Sequence, residues 1–112
     1  MLIAAAAEGE LPMVKYALQH GADIHTFNDY ALRYAAEFGH FEIVKFLLES
    51  GANIHAFDDI ALRLAIIKED LEMVKLLVDH GANIHVHNDY ALKIAEKEGH
   101  SEIVRYLSKI EG

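Results

Sequence analysis

The sequence predicts an all-α solenoid of four stacked helix-turn-helix units, and two observations support this fold class. The string Gly-Ala-Asp-Ile-His begins at Gly21, and Gly-Ala-Asn-Ile-His begins at Gly51 and again at Gly81, so the chain repeats every 30 residues. Each period holds two segments whose apolar residues recur at helical spacing. Since so short a helix is not stable alone in water, the units must stack to bury their apolar sides.

The repeat divides the 112 residues into four units of a single domain. The segment Met13–Lys15 matches Ile43–Lys45 one period later, so the first unit is an incomplete copy of the others. The units cover approximately residues 1–29, 30–59, 60–89 and 90–112.

The second unit shows how each element is specified. Its first helix is predicted over residues 30–38, where alanine and leucine mark one side, and its second helix over residues 41–49. Gly39 lies in the turn between the two helices. Gly51 follows the second helix, at a position that favours a residue with left-handed backbone angles.

An aspartate precedes each of the three later first helices and is a candidate N-cap for it. Each of these aspartates also stands four residues before a basic residue, which is the favourable orientation for an ion pair along a helix. The pairs are Asp29 with Arg33, Asp59 with Arg63, and Asp89 with Lys93.

The composition excludes several classes of function. Carboxylates outnumber Lys and Arg by 18 to 10, and the net charge of −8 repels phosphate backbones and anionic membranes. The chain has no cysteine, which fits a reducing compartment. No stretch approaches the ~18–20 apolar residues of a membrane span. The sequence therefore predicts an intracellular, cytoplasmic protein whose partner is neither nucleic acid nor a membrane.

The two ends of the chain differ in polarity. Residues 1–7 carry no charged side chain, and they fit a first helix in register better than a signal peptide, which needs a basic region. The outer side of this helix is expected to present bare alanine and leucine. We predict that it frays, or that another copy of the chain covers it end to end. The fourth unit has polar residues where internal units have apolar ones, as expected of a terminal unit; these are Glu96, Ser101 and Ser108.

Residues 35–54 resemble the ankyrin repeat. They read Ala-Ala-Glu-Phe-Gly-His-Phe-Glu-Ile-Val-Lys-Phe-Leu-Leu-Glu-Ser-Gly-Ala-Asn-Ile, against Ala-Ala-x-x-Gly-His-Leu-Glu-Val-Val-Lys-Leu-Leu-Leu-x-x-Gly-Ala-Asp-Val in the family. The resemblance implies an L-shaped ankyrin-repeat solenoid that binds another protein through its concave surface and catalyses nothing. Because the usual ankyrin repeat has about 33 residues, it also implies shortened hairpin loops here. This short form is similar to repeats of large DNA viruses, and a viral protein of this kind would lie in the host cytoplasm.

The third unit departs from the pattern in its turn. Glu69 and Asp70 stand where the second unit has Gly39 and His40. A residue other than glycine in the left-handed region costs roughly 1 kcal/mol, so either Glu69 bears that cost or the turn differs. In the second unit, we expect His40 to cap the second helix.

Histidine is the main candidate for chemistry, because His25, His55 and His85 recur at the repeat period. Stacked units lie on the order of 10 Å apart, whereas zinc holds its nitrogen ligands at ~2 Å. We therefore expect each ring to hydrogen-bond loop backbone, not a shared metal ion. The recurring pairs of Glu with Lys or Arg on the second helices indicate a solvated face. The sequence predicts no enzyme, no metal site and no cofactor.

The candidate partner-binding residues are those that vary on the repeated scaffold. The resemblance implies that the two residues directly before the turn glycine vary from repeat to repeat. Phe38 and Ile67 are apolar residues at these positions. An exposed apolar cluster with a charged rim is typical of a protein interface. For Phe27 and Phe57, packing beneath their own loops is an equally open alternative. The predicted partner-binding residues are Phe38, Ile67, Glu37, Lys68, Phe27, Phe57 and Val86.

Two functions remain open from the sequence. The first is a non-catalytic protein-protein interaction module, which the apolar residues at variable positions favour. The second is a structural or engineered repeat scaffold, or an excised fragment of a longer array, without a specific partner; the near-identity of the units favours it.

Overall fold

The computed structural model describes residues 1–111, apart from the side chains of residues 87, 88 and 111. The prediction of an all-α fold is confirmed, since this part of the chain forms eight helices and no strand. None of these helices is both long enough and apolar enough to cross a membrane. The helices are α1 (Leu2–Glu8), α2 (Leu11–Gln19), α3 (Thr26–Glu37), α4 (Phe41–Glu49), α5 (Ala56–Ile67), α6 (Leu71–Asp79), α7 (Val86–Lys97) and α8 (Ser101–Glu111).

The helices form an elongated stack of four pairs, 43 × 20 × 18 Å in extent. The first helices α1, α3, α5 and α7 pack closely on one another, whereas the second helices make few contacts among themselves. Alanines at the buried positions of the first helices permit this close approach; they include Ala5, Ala35, Ala65 and Ala95. The stack therefore curves, and the exposed sides of the first helices line its inner side, called here the concave surface.

The core runs continuously through all four units. Each first helix from α3 onward places alanine and leucine in it, and each second helix contributes aliphatic side chains. Full burial of one such leucine or isoleucine contributes about 1.5–3 kcal/mol. The largest fully buried side chains are Leu32, Leu47, Leu62, Ile66, Met73, Leu77, Ile103, Leu107, Val14, Val44 and Val74.

The turn within the third unit keeps the conformation of the others. Glu69 has a φ of 58°, close to the 73° of Gly39, so Glu69 bears the steric cost of the left-handed region. Asp70 caps α6, since its carboxylate accepts a hydrogen bond from the backbone N–H of Met73 at 3.2 Å. The expectation that His40 caps α4 is wrong. Its Nε2 instead donates to the carbonyl oxygen of Ala7, at the end of α1, because α1 packs against this turn.

The connections between units are tight left-handed turns within the first residues of α3 and α5. Residues 27–29 and 57–59 all have φ between 52° and 59°. The backbone N–H of Asp29 donates to the carbonyl oxygen of His25 at 3.2 Å and closes the first of these turns. Left-handed backbone costs roughly 1–2 kcal/mol for each residue other than glycine, so each turn needs compensating contacts.

The first helix is better anchored than its sequence suggests. Leu2, Ala5 and Ala6 are buried, so the expectation that leucine lies bare on its outer side is wrong. The apolar side chains exposed at this end are instead Met1, Ala4 and Met13. At the other end of the stack the predicted polar residues of the fourth unit are all exposed.

Candidate functional site

Buried carboxylates connect each left-handed turn to the next unit. Asp29 is only 2 % exposed; its Oδ1 accepts a hydrogen bond from His25 Nδ1 at 2.9 Å, and its Oδ2 accepts one from the backbone N–H of Asn53 at 2.7 Å. Asp59 accepts equivalent bonds from His55 and from the N–H of Asn83. These bonds offset part of the strain of the turn.

The predicted role of these aspartates is therefore wrong. Asp29 does directly precede the right-handed part of α3, but its carboxylate neither caps that helix nor pairs with Arg33. The left-handed backbone at Asp29 directs the carboxylate to the loop of the following unit instead.

The recurring histidines bind these carboxylates, and the expectation that the rings bond loop backbone is also wrong. His25, His55 and His85 pair with Asp29, Asp59 and Asp89 respectively. The pKa of His25 is raised, first because its ring donates to Asp29 and second because the negative charge of Asp29 stabilises the imidazolium. Within the described residues, no group of three His, Asp or Glu side chains lies close enough together to hold a metal ion.

Arginines hold the turns on the concave surface. Arg33 Nη2 donates to the carbonyl oxygen of Phe27 at 3.3 Å, and Arg63 Nη2 donates to that of Phe57 at 2.9 Å. The Arg33 guanidinium also lies between two rings, 4.3 Å from the centroid of Tyr30 and 4.0 Å from that of Phe57. Because Phe57 belongs to the next turn, this contact fixes one turn relative to the preceding helix.

Three aromatic side chains, Tyr30, Tyr34 and Phe38, lie in a row along α3 and its C-cap on the concave surface. The ring centroids of Tyr30 and Tyr34 lie 4.2 Å apart with a hydroxyl-to-hydroxyl hydrogen bond of 2.7 Å, and Phe38 lies 6.0 Å beyond Tyr34. The sequence patterns used above do not identify Tyr30 and Arg33 as residues of this surface. The available signal is the four-residue spacing of the three aromatics, which places them on one side of the helix.

The predicted partner-binding residues lie on or beside this surface. Phe38 and Ile67 are 55 % and 48 % exposed, near the ends of successive first helices. Phe27 and Phe57 are 73 % and 48 % exposed, so neither packs beneath its own loop. Lys68 is exposed, whereas Glu37 and Val86 are half-buried. Binding by these seven residues stays a prediction.

A cleft is present away from the predicted partner-binding residues. A space of about 630 Å³ opens between α2 and α4, where Lys15 Nζ lies 5.4 Å from the centroid of the Phe46 ring. None of the predicted binding residues lines it. Its lining residues are Lys15, Leu18, Gln19, Ala22, Asp23, Ile24, Phe46 and Ser50.

The outer side of the first unit is apolar. Met13 is exposed, although the equivalent residues Ile43, Met73 and Ile103 of the later units are buried. Self-association through this side stays a prediction that concentration-dependent light scattering can measure.

The chain is similar to a known protein family. A family model described as ankyrin repeats (many copies) matches residues 2–48 and 32–78, and together these matches cover more than half of the chain. The matched residues contain α1 to α5 and nearly all of α6. No match was found among curated proteins.

Proposed function

Because the chain belongs to the ankyrin repeat family, we propose that it is a non-catalytic module that binds one protein partner through the concave surface and the adjoining turns. Members of this family generally mediate protein-protein interaction. The proposed contacts are the exposed side chains Phe27, Phe38, Phe57 and Ile67, with Glu37, Lys68 and Val86 around them.

One observation carries the proposal: Phe27 is a bulky side chain held in the left-handed region and exposed to water. Such a residue raises the free energy of the folded chain through its backbone, and its exposed ring contributes little burial in return. Strained residues of this kind cluster at functional sites, where the surrounding structure holds them in place. Contact with a partner accounts for phenylalanine at this position, whereas a scaffold without a partner would be more stable with Asn or Gly there.

The exposed apolar side chains also have the composition of an interface. Aromatic residues dominate the centres of protein interfaces, and charged residues surround them. Phe38 and Ile67 supply the apolar part on adjacent units, and Glu37 and Lys68 supply charges beside them. The cytoplasmic location proposed from the composition is consistent with this role.

The test is affinity capture from a cell extract with Phe38→Ala and Ile67→Ala variants, followed by mass spectrometry. We expect both variants to lose the captured partner while the helical circular dichroism signal and the melting temperature are retained, because exposed side chains contribute little to folding. Tyr16→Ala is the matched control, since Tyr16 is a similarly exposed aromatic residue on α2, a second helix.

Three outcomes would count against the proposal. A fall of many degrees in melting temperature would show that Phe38 and Ile67 support the fold. Capture retained by both variants would place the interface elsewhere. Capture of nothing specific by the unmodified chain would favour a scaffold.

A further inference from the structure

Basic residues are concentrated on the concave surface of an acidic protein. Across the whole chain, carboxylates outnumber Lys and Arg by 18 to 10. Across the first-helix segments 30–38, 60–68 and 90–98 the order is reversed, with five basic residues and three carboxylates. The basic residues are Arg33, Arg63, Lys68, Lys93 and Lys97, and the carboxylates are Glu37, Glu96 and Glu98.

The repeat arranges these cations in order. Arg33, Arg63 and Lys93 occupy the same position of successive first helices, so they form a row with steps on the order of 10 Å. Lys97 lies one helical turn beyond Lys93, and Lys68 follows Ile67 at the end of α5. The row therefore passes beside the exposed apolar residues.

The ammonium groups of the three lysines are accessible to a ligand. Lys68, Lys93 and Lys97 are all exposed, and no ion pair joins any of them to a carboxylate in the part of the chain that the structure describes. Neighbouring charges of one sign attract a ligand of the opposite sign and accelerate its association.

We propose that the segment bound by this surface is an acidic stretch of a protein, whose carboxylates meet Lys68, Lys93 and Lys97 and whose apolar side chain contacts Phe38 and Ile67. This inference rests on the proposed function and adds the chemistry of the partner. A protein segment fits better than a nucleic acid, because apolar side chains lie between the cations and because the chain as a whole repels phosphate backbones.

The test selects binders from a random peptide library on the immobilised chain and, in parallel, on the triple variant K68E/K93E/K97E. The unmodified chain is expected to enrich peptides in which acidic residues flank an aromatic or aliphatic residue, and the triple variant is expected to lose them. Affinity for a selected peptide at physiological salt should fall by about fivefold in K68E alone, the scale of one exposed ion pair. Lys45→Glu is the matched control, because Lys45 is exposed on α4 and should not affect binding.

The possible outcomes distinguish a failure of this inference from a failure of the proposed function on which it rests. Neutral or basic peptides whose NMR shifts map to Phe38 and Ile67 would overturn the acidic partner and leave a protein-binding surface. Peptides that map to the second helices, or no enrichment at all, would overturn both. Binding of a single-stranded RNA oligonucleotide through the same lysines would also overturn the inference, since it would indicate a different class of partner.

Discussion

Asp29 accepts a hydrogen bond from the backbone N–H of Asn53 at 2.7 Å, although 24 residues separate the two. Asp59 and Asn83 repeat the contact at 2.8 Å over the same separation. The side chain of Asp89, the third aspartate at this position of the repeat, is 45 % exposed. The interface between α3 and α5 and the interface between α5 and α7 thus each contain a charged hydrogen-bond acceptor as well as apolar side chains.

Asp29→Ala is expected to destabilise the fold by about 2 kcal/mol, because it leaves the backbone N–H of Asn53 and the ring of His25 without their acceptor. Urea denaturation measures the loss. Asp89→Ala is the control and should cost about 0.5 kcal/mol, since its side chain is far more exposed than that of Asp29. Equal losses in the two variants would contradict a stabilising bond between units.

The stability of the protein should depend on protonation of His25. The pKa of His25 is raised from its ordinary value of 6.5, because Asp29 accepts its hydrogen bond and carries negative charge. A raised folded-state pKa means that protonation stabilises the fold. This contribution is complete below the unfolded pKa and is lost as the pH rises through the folded pKa.

An NMR titration of the imidazole resonances measures this pKa directly. Asp29→Asn should lower the pKa of His25, and His25→Gln should remove the corresponding part of the pH dependence of unfolding. An unchanged pKa in Asp29→Asn would mean that the carboxylate is not the cause.

Glu69→Gly is expected to stabilise the protein by about 1 kcal/mol, because glycine adopts a φ near 58° without steric penalty. The exposed contact of Glu69 with His100, at 3.5 Å, contributes little in return. Gly39→Ala is the reciprocal control and should destabilise by a similar amount, although its added methyl group meets no other atom within 4 Å. Thermal unfolding measures both, and a loss of stability in Glu69→Gly would refute the strain.

Phe27→Asn should separate stability from binding. Asparagine tolerates left-handed backbone angles better than phenylalanine, so we expect a gain of roughly 0.5–1 kcal/mol together with weaker capture of the partner. Phe57→Asn should gain less, because it also loses the ring that stacks on Arg33. A lower melting temperature of Phe27→Asn would show that the Phe27 ring stabilises the fold, and it would contradict the proposal that this residue serves partner binding.

The repeat made the helices predictable and the connections between them less so. The second helix of the second unit was predicted over residues 41–49, and α4 spans Phe41–Glu49. The partners of Asp29 and His25 were not predictable, because they depend on three successive left-handed residues that carry no glycine to mark them. A contact between units also depends on how units stack, which local patterns do not specify.

The concave surface was predicted only in part for a different reason. The differences between units predict that Phe38 and Ile67 are exposed, whereas the four-residue spacing predicts that Arg33 and Arg63 form ion pairs with aspartates of their own helices. The whole-chain charge of −8 concealed the basic surface, because a sum over all residues carries no information about where each charge lies.

The unequal contact between the two rows of helices determines how the stack can bend. The alanine-lined first helices touch closely, while the second helices make few contacts with one another. We therefore expect any bending of the stack to pivot about the closely packed first helices and to change mainly the separation of the second helices. The spacing between exposed side chains on successive first helices would then stay nearly constant, so that a partner meets them at fixed intervals along the stack.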